Sequence, residues 1–191
     1  EYRVISILGT GRALPAQRID STVFDARLGL PEGHLARETG VRARYVCADE
    51  SQVDLALAAA RGALADAGLT AGDIDLVICG AAVPYQPIPA TAPLLMQRLG
   101  MADGSAMAFD VNATCLGFVS GLDTAARLIA TGGARRALVV SAEIASRALP
   151  WESQPDVAAL FGDGAGAAVV EAGRGLKASL TRTYPSAYDA C

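Results

Sequence analysis

The 191 residues are 52% hydrophobic and 19% charged, a balance that builds a sizeable core and excludes a disordered chain. A formal net charge of -4 with no basic run excludes a nucleic-acid surface, and no apolar segment approaches the roughly 20 residues of a bilayer-spanning helix. Arg3 and Arg12 bracket a strand-like stretch of only eight residues, which does not read as a signal peptide. Aromatic residues make up 5% while Ala and Gly abound, so the core is expected to form by close backbone packing in α/β layers.

Along the chain, residues 2–8 read as a strand ending at Gly9, and 10–50 as short helices and loops punctuated by Pro15, Gly29, Pro31, Gly33 and Gly40. Ser51 and Asp54 form an S-x-x-D start before an Ala-rich helix over 53–67, which Gly68 stops. Asp75 to Ala82 carries the apolar run of a strand buried on both faces. A loop with Pro84, Pro87 and Pro89 leads to a helix near 91–99 closed by Gly100. Residues 106–111 are the next strand and 115–131 the next helix, with Leu116, Val119, Leu122, Ala126 and Ile129 at helical spacing. A buried strand follows over 136–142, then a loop over 146–158, a strand over 167–170 and a last strand-like segment near 176–183. Strands alternating with helices predict βαβ units in a parallel or mixed sheet.

Four cysteines (Cys47, Cys79, Cys115, Cys191) lie far apart without a CxxC pair, and the single histidine, His34, is 13 residues from Cys47. Such spacing argues against structural zinc and against a disulfide framework, and fits a reducing cytoplasm. Cys79, inside an apolar run, reads as a small buried hydrophobe. Cys115 is different, because it stands between an apolar strand and a long amphipathic helix. Free backbone N–H groups and the partial positive charge of a helix start favour thiolate, a strong nucleophile towards thioesters. Two glycine patterns resemble phosphate loops and fail as such. Gly9-Thr10-Gly11 has Leu14 where the last glycine is required, and Gly162-Asp163-Gly164-Ala165-Gly166 precedes a strand instead of opening a helix. The second run reads as a tight turn that allows close backbone approach. There is no G-x-S-x-G elbow and no S-x-x-K. His34 sits in a polar, glycine-flanked segment and reads as an exposed residue rather than as the partner of Cys115.

Five motifs in order carry a resemblance that spans essentially the whole chain: Ile7-Leu8-Gly9-Thr10-Gly11 with Leu14-Pro15; Thr39-Gly40-Val41-Arg42-Ala43-Arg44; Phe109-Asp110-Val111 with Cys115-Leu116-Gly117-Phe118; Ala137-Leu138-Val139-Val140; and Phe161 to Val169. Together they resemble the N-terminal half of the β-ketoacyl-acyl-carrier-protein synthase III family, condensing enzymes of the thiolase superfamily. The resemblance implies an α/β thiolase-like layered fold, with 1–175 as the N-terminal half and 176–191 as the start of a connection to a second half. It implies that Cys115 accepts an acyl group from acyl-CoA, which then condenses, with decarboxylation, with a malonyl thioester on acyl carrier protein. A His and an Asn from the second half would assist that step.

By the same resemblance His34, Arg37, Ile88 and Phe161 bind substrate. His34 falls where the family often places a tryptophan that stacks on the CoA adenine, Ile88 bounds the acyl pocket of a partner subunit, and Phe161 lines the pocket of its own. No cofactor, a homodimer and a cytoplasmic location are implied as well. Two positions depart from the family: Glu38 replaces an arginine, and Glu152 to Asp156 lacks a basic residue used to grip CoA phosphates. Related acyltransferases, non-decarboxylative condensing enzymes and a non-catalytic scaffold half therefore stay open as alternatives. The chain starts without methionine and ends at Tyr184 to Cys191 with no capping signal, so it reads as part of a longer protein.

Overall fold

A computed structural model describes residues 5–190 of the chain, the side chains of 188–190 excepted. Its centre is a five-stranded mixed sheet in the order β1-β7-β6-β4-β5. The strands are β1 (Ile5–Ala13), β4 (Leu76–Gly80), β5 (Met107–Val111), β6 (Arg136–Glu143) and β7 (Gly164–Ala172). β4 runs parallel to both β5 and β6, whereas β7 is antiparallel to β6 and to β1. A separate antiparallel pair, β2 (Gln17–Asp20) and β3 (Ala43–Val46), encloses the short helices α1 (Ser21–Leu28) and α2 (His34–Thr39) in sequence.

α3 (Gln52–Asp66) and α4 (Thr91–Leu99) pack on one face of the sheet and α5 (Gly117–Ala130) on the other. Alternation along β4 sorts its side chains between them: Val77 and Cys79 join the α3 side, Leu76 and Ile78 the α5 side. All five residues of β4 are buried, as the unbroken apolar run predicts.

The α3 start is set as expected. Ser51 Oγ accepts the Asp54 N–H, and the Asp54 carboxylate accepts the Ser51 N–H, so two orphan donors of the first turn are satisfied. Gly68, with φ of 66°, ends the helix, and Leu69 N–H returns to Leu64 O at 2.9 Å. α4 is capped from outside itself: the Asp110 carboxylate on β5 accepts the N–H groups of Thr91 at 2.7 Å and Ala92 at 2.8 Å.

β1 corrects the reading that its strand ends at Gly9, while the part of that strand over 2–4 lies outside the described residues. The strand bulges between Ile7 and Gly9 and continues to Ala13 against β7. Its glycines serve helix packing, not phosphate binding. A Cβ on Gly9 or Gly11 would fall within 3.0 Å of backbone atoms of α3 at Ala59 or Ala63, or of Ala67 just past its end, so the helix backbone lies directly on the strand. The segment 176–183 is also corrected: after Gly175 and Leu176 donate to Ile5 O it enters no ladder, and Leu180 is exposed.

A third cluster joins Phe24 of α1, Leu35 of α2 and Ala159, at the end of α6 (Pro155–Ala158), with Trp151 against it. Phe24 and Trp151 stack with centroids 4.5 Å apart. The Arg44 guanidinium lies over both rings and donates to Ala159 O at 2.8 Å. That cluster ties the α1–α2 segment to the loop that ends at Phe161.

Candidate active site

The site begins where β5 stops. After Val111 the chain folds through Asn112 to Leu116 before α5 opens at Gly117, so Cys115 lies in a tight turn ahead of the helix rather than inside it. Leu116 N–H donates to Ala113 O and Gly117 N–H to Thr114 O, each at 3.0 Å. Thr114 adopts φ of 50°, among the described residues the one non-glycine at positive φ. For a β-branched residue this conformation costs about 1–3 kcal/mol, so its surroundings must hold it there. One such hold is the Asn112 side chain, whose Oδ1 accepts the Thr114 N–H at 3.0 Å. The result is an exposed thiol on a constrained turn.

Its height above the sheet is set by backbone contact. A Cβ on Gly80 would come within 2.6 Å of Gly117 C and O, so the end of β4 and the first turn of α5 touch through main chain. One turn on, Gly121 rests on the side chains of Val139 and Ile78.

The other cysteines of the described residues are chemically distinct. Cys79 is buried, and burial followed by the charge of Asp110 pushes its thiol far up. Cys47 is pushed up to about 11, first by burial and then by the neighbouring Asp163 charge. Both are neutral thiols at physiological pH, as a buried structural role requires.

Phe118, three residues beyond Cys115, lines an open cavity of about 410 Å³ together with Ser141, Glu143 and the run Gly162 to Gly166. Phe161 immediately precedes that run and is partly exposed, so its loop and the start of α5 border the same space. The run is only partly a turn. Gly164 already belongs to β7, and Gly162 provides the close approach, with its Cβ position 3.1 Å from Tyr45 O. Asp163 between them is buried and accepts Cys47 N–H at 2.8 Å, Ser146 N–H at 2.9 Å and Ser146 Oγ–H at 2.7 Å. This carboxylate therefore fixes three segments of chain around the cavity.

His34 opens α2 and is half-buried, with Nε2 3.3 Å from Asp156 Oδ1 on α6. Arg37, on the same helix, donates Nη1 to Glu32 O at 3.0 Å. Ile88 projects from the Pro-rich loop with 86% of its surface exposed. Thus Phe161 adjoins the glycine run that lines the cavity with Phe118, His34 meets α6, and Arg37 bonds within its own segment. Asn112, Glu143 and Asp163 are the polar residues that sequence reasoning did not single out for the site. Only Asp163 carried a signal, by lying within a glycine run.

Among the described residues no group of three or more His, Cys, Asp or Glu side chains is placed to hold a metal ion. Among them, too, no helix is long and apolar enough to cross a membrane.

Residues 109–185 match the family model of 3-oxoacyl-[acyl-carrier-protein] synthase III, a span that starts on β5 and includes the Cys115 turn. The β-ketoacyl-[acyl-carrier-protein] synthase III of Mesorhizobium japonicum is 43% identical over 170 residues, 88% of this chain and 52% of that protein. The chain belongs to the β-ketoacyl-[acyl-carrier-protein] synthase III family, as a match to its N-terminal half. The 3-oxoacyl-(acyl carrier protein) synthase III of Pseudomonas aeruginosa superposes with a TM-score of 0.81 at 38% identity, covering 90% of this chain and 52% of that one. Cerulenin-bound OleA of Xanthomonas campestris gives a TM-score of 0.78 at 30% identity, over 90% of this chain and 57% of that one. The layered thiolase-like fold expected for this synthase III family is the fold observed. The chain spans about half the length of the curated relatives it matches.

Proposed function

We propose that Cys115 accepts an acyl group from acyl-CoA and that the acyl-enzyme then condenses with a malonyl thioester on acyl carrier protein. The observation that carries this reading is the exposed Cys115 thiol on a constrained strand–helix turn, within the span that matches the synthase III family. The thiolate attacks the thioester carbonyl, a tetrahedral intermediate forms, and its collapse expels the CoA thiolate and leaves a new thioester on Cys115. Loss of CO2 from the malonyl group then generates a carbanion, which attacks the Cys115 thioester and releases a 3-oxoacyl product and the free enzyme thiol.

Phe161 and Ile88 are assigned to the acyl pocket, Ile88 towards a partner subunit in a homodimer, and His34 and Arg37 to binding substrate, His34 at the position that stacks on the CoA adenine. His34 bonded to Asp156 supports a role on that side and not as the base for Cys115. The condensation would draw its histidine and asparagine from a second half joined through 176–191, with 1–175 as the first. The reaction uses no cofactor beyond its thioester substrates, and the enzyme works in the cytoplasm.

Incubation with isotope-labelled acyl-CoA followed by peptide mass spectrometry tests the assignment. Label on the Cys115 peptide, lost in Cys115→Ala, is the expected result. A Cys115→Ala protein that still accumulates covalent acyl label overturns it. Release of labelled CO2 from a malonyl donor separates decarboxylative condensation from plain acyl transfer.

A further inference from the structure

The loop that carries Ile88 is anchored at its base by side chains from β6, from α3 and from the Cys115 turn. Glu143, the last residue of β6, accepts the N–H of Ala82 and, at 3.4 Å, that of Val83. Gln52, the first residue of α3, donates Nε2 to Val83 O at 2.9 Å and to Ala142 O at 2.6 Å. Asn112 donates Nδ2 to Ala82 O at 3.4 Å, while its Oδ1 holds Thr114 N–H. One short amide therefore bonds both the loop base and the strained residue next to Cys115.

The loop is not packed solid against the sheet beneath it. A cavity of about 220 Å³ separates them, lined by Pro84, Gln86 and Pro87 above and by Gln52, Cys79 and Asn112 below. Polar bonds at Ala82 and Val83 thus hold the loop base where side-chain packing leaves a gap. Force applied at the exposed Ile88 reaches the body of the protein through these bonds at one end of the loop and through Asp110 at the start of α4 at the other, and one of the bonds at 82–83 comes from the Cys115 turn.

We infer that Asn112 is a positioning residue that couples the 82–90 loop to the reactivity of Cys115. This rests on Cys115 as the reacting thiol. Displacement of Ala82 changes the pull on the Asn112 amide, and the amide resets Thr114 and with it the direction of the adjacent thiol. The two arms of the amide are separable by substitution. Asn112→Ala removes both. Asn112→Ser keeps a short acceptor for the Thr114 N–H, in the manner of an ST-turn, and loses the reach to Ala82 O.

The experiment measures the rate of Cys115 alkylation by iodoacetamide, site by site by mass spectrometry, in the protein expressed from its complete gene. Iodoacetamide needs no recognition by a CoA or carrier site, so this readout is independent of whether acyl-CoA is the true donor. Asn112→Ala is expected to slow alkylation by about ten-fold, and Glu143→Gln, which loosens the loop base, by about three-fold. Asn112→Ser is expected to recover most of the rate, and in its background Glu143→Gln is expected to have no further effect. A wild-type rate in Asn112→Ala overturns the inference. So does a Glu143→Gln effect that is as large in Asn112→Ser as in the unmodified protein. Normal alkylation and coupling without acyl label from acyl-CoA would instead count against the proposed donor and leave the coupling standing.

Discussion

On one face of the sheet α3 settles its backbone onto Gly9 and Gly11 and turns Asp54 and Arg61 outward. On the other face α5 meets the sheet at Gly80, yet Leu116 and Val119 at its start remain more than half exposed. Both helices are rich in small residues and both approach a strand through glycine. The difference lies in the outer side, which is polar and complete on α3 and apolar on the first turn of α5. The Cys115 turn belongs to the apolar, open side. The outer side of α3 is closed by polar residues, and the face that carries the exposed Cys115 thiol is not.

The sharpest way to break this contrast is to obstruct the closed face. Gly11→Val places a side chain where the α3 backbone lies, and unfolding by urea should show a loss of more than about 3 kcal/mol. Gly166→Ala is the control, because nothing lies within 4 Å of its Cβ position and its stability should stay within about 0.5 kcal/mol of the parent.

Thiol labelling sharpens the same contrast chemically. At pH 8 a small alkylating reagent should modify the exposed Cys115 at least about 100-fold faster than Cys79 or Cys47. Cys47, raised from 9.0 to about 11, should begin to label only as the pH approaches that value. The sign follows for stability: the folded state holds the Cys47 proton more tightly than the unfolded chain does. That contribution is complete below pH 9 and is lost as the pH rises through about 11. Equal labelling of Cys79 and Cys115 at pH 8 would contradict the burial of the α3 side.

The smallest effect belongs to the open side. Val119→Lys exchanges a residue already 55% exposed, and its thermal stability should change by less than about 0.5 kcal/mol. A loss of several kcal/mol there would mean that this turn of α5 is as fully packed as α3.

The strands and helices around the centre were legible because their signals are local. The β4 run, the Ser51–Asp54 box and the stops at Gly68 and Gly100 act within a few residues of themselves. The expectation for β1 failed at Gly9 because the reason for that glycine lies about fifty residues away, in the backbone of α3. The segment at 176–183 has the composition of a strand, but a strand also needs a ladder partner, which no composition supplies. At the site, the junction position of Cys115 was readable while its one-residue geometry was not. Thr114 at positive φ runs against the preference of its own side chain. The polar supports were hidden for a related reason. Asp163 bonds Cys47 N across 116 residues and Glu143 bonds Ala82 N across 61, separations at which no spacing rule operates.

The main-chain contact between Gly80 and Gly117 has a consequence for descent. Core side chains under a helix drift as lineages diverge, and each exchange of volume lifts or lowers what rests on it. Here the first turn of α5 rests on no side chain at Gly80, so exchanges of the valine and isoleucine one turn on, where Gly121 meets Val139 and Ile78, reach the Cys115 turn only at one remove. The core can change at that distance while the Cys115 turn keeps its main-chain seat.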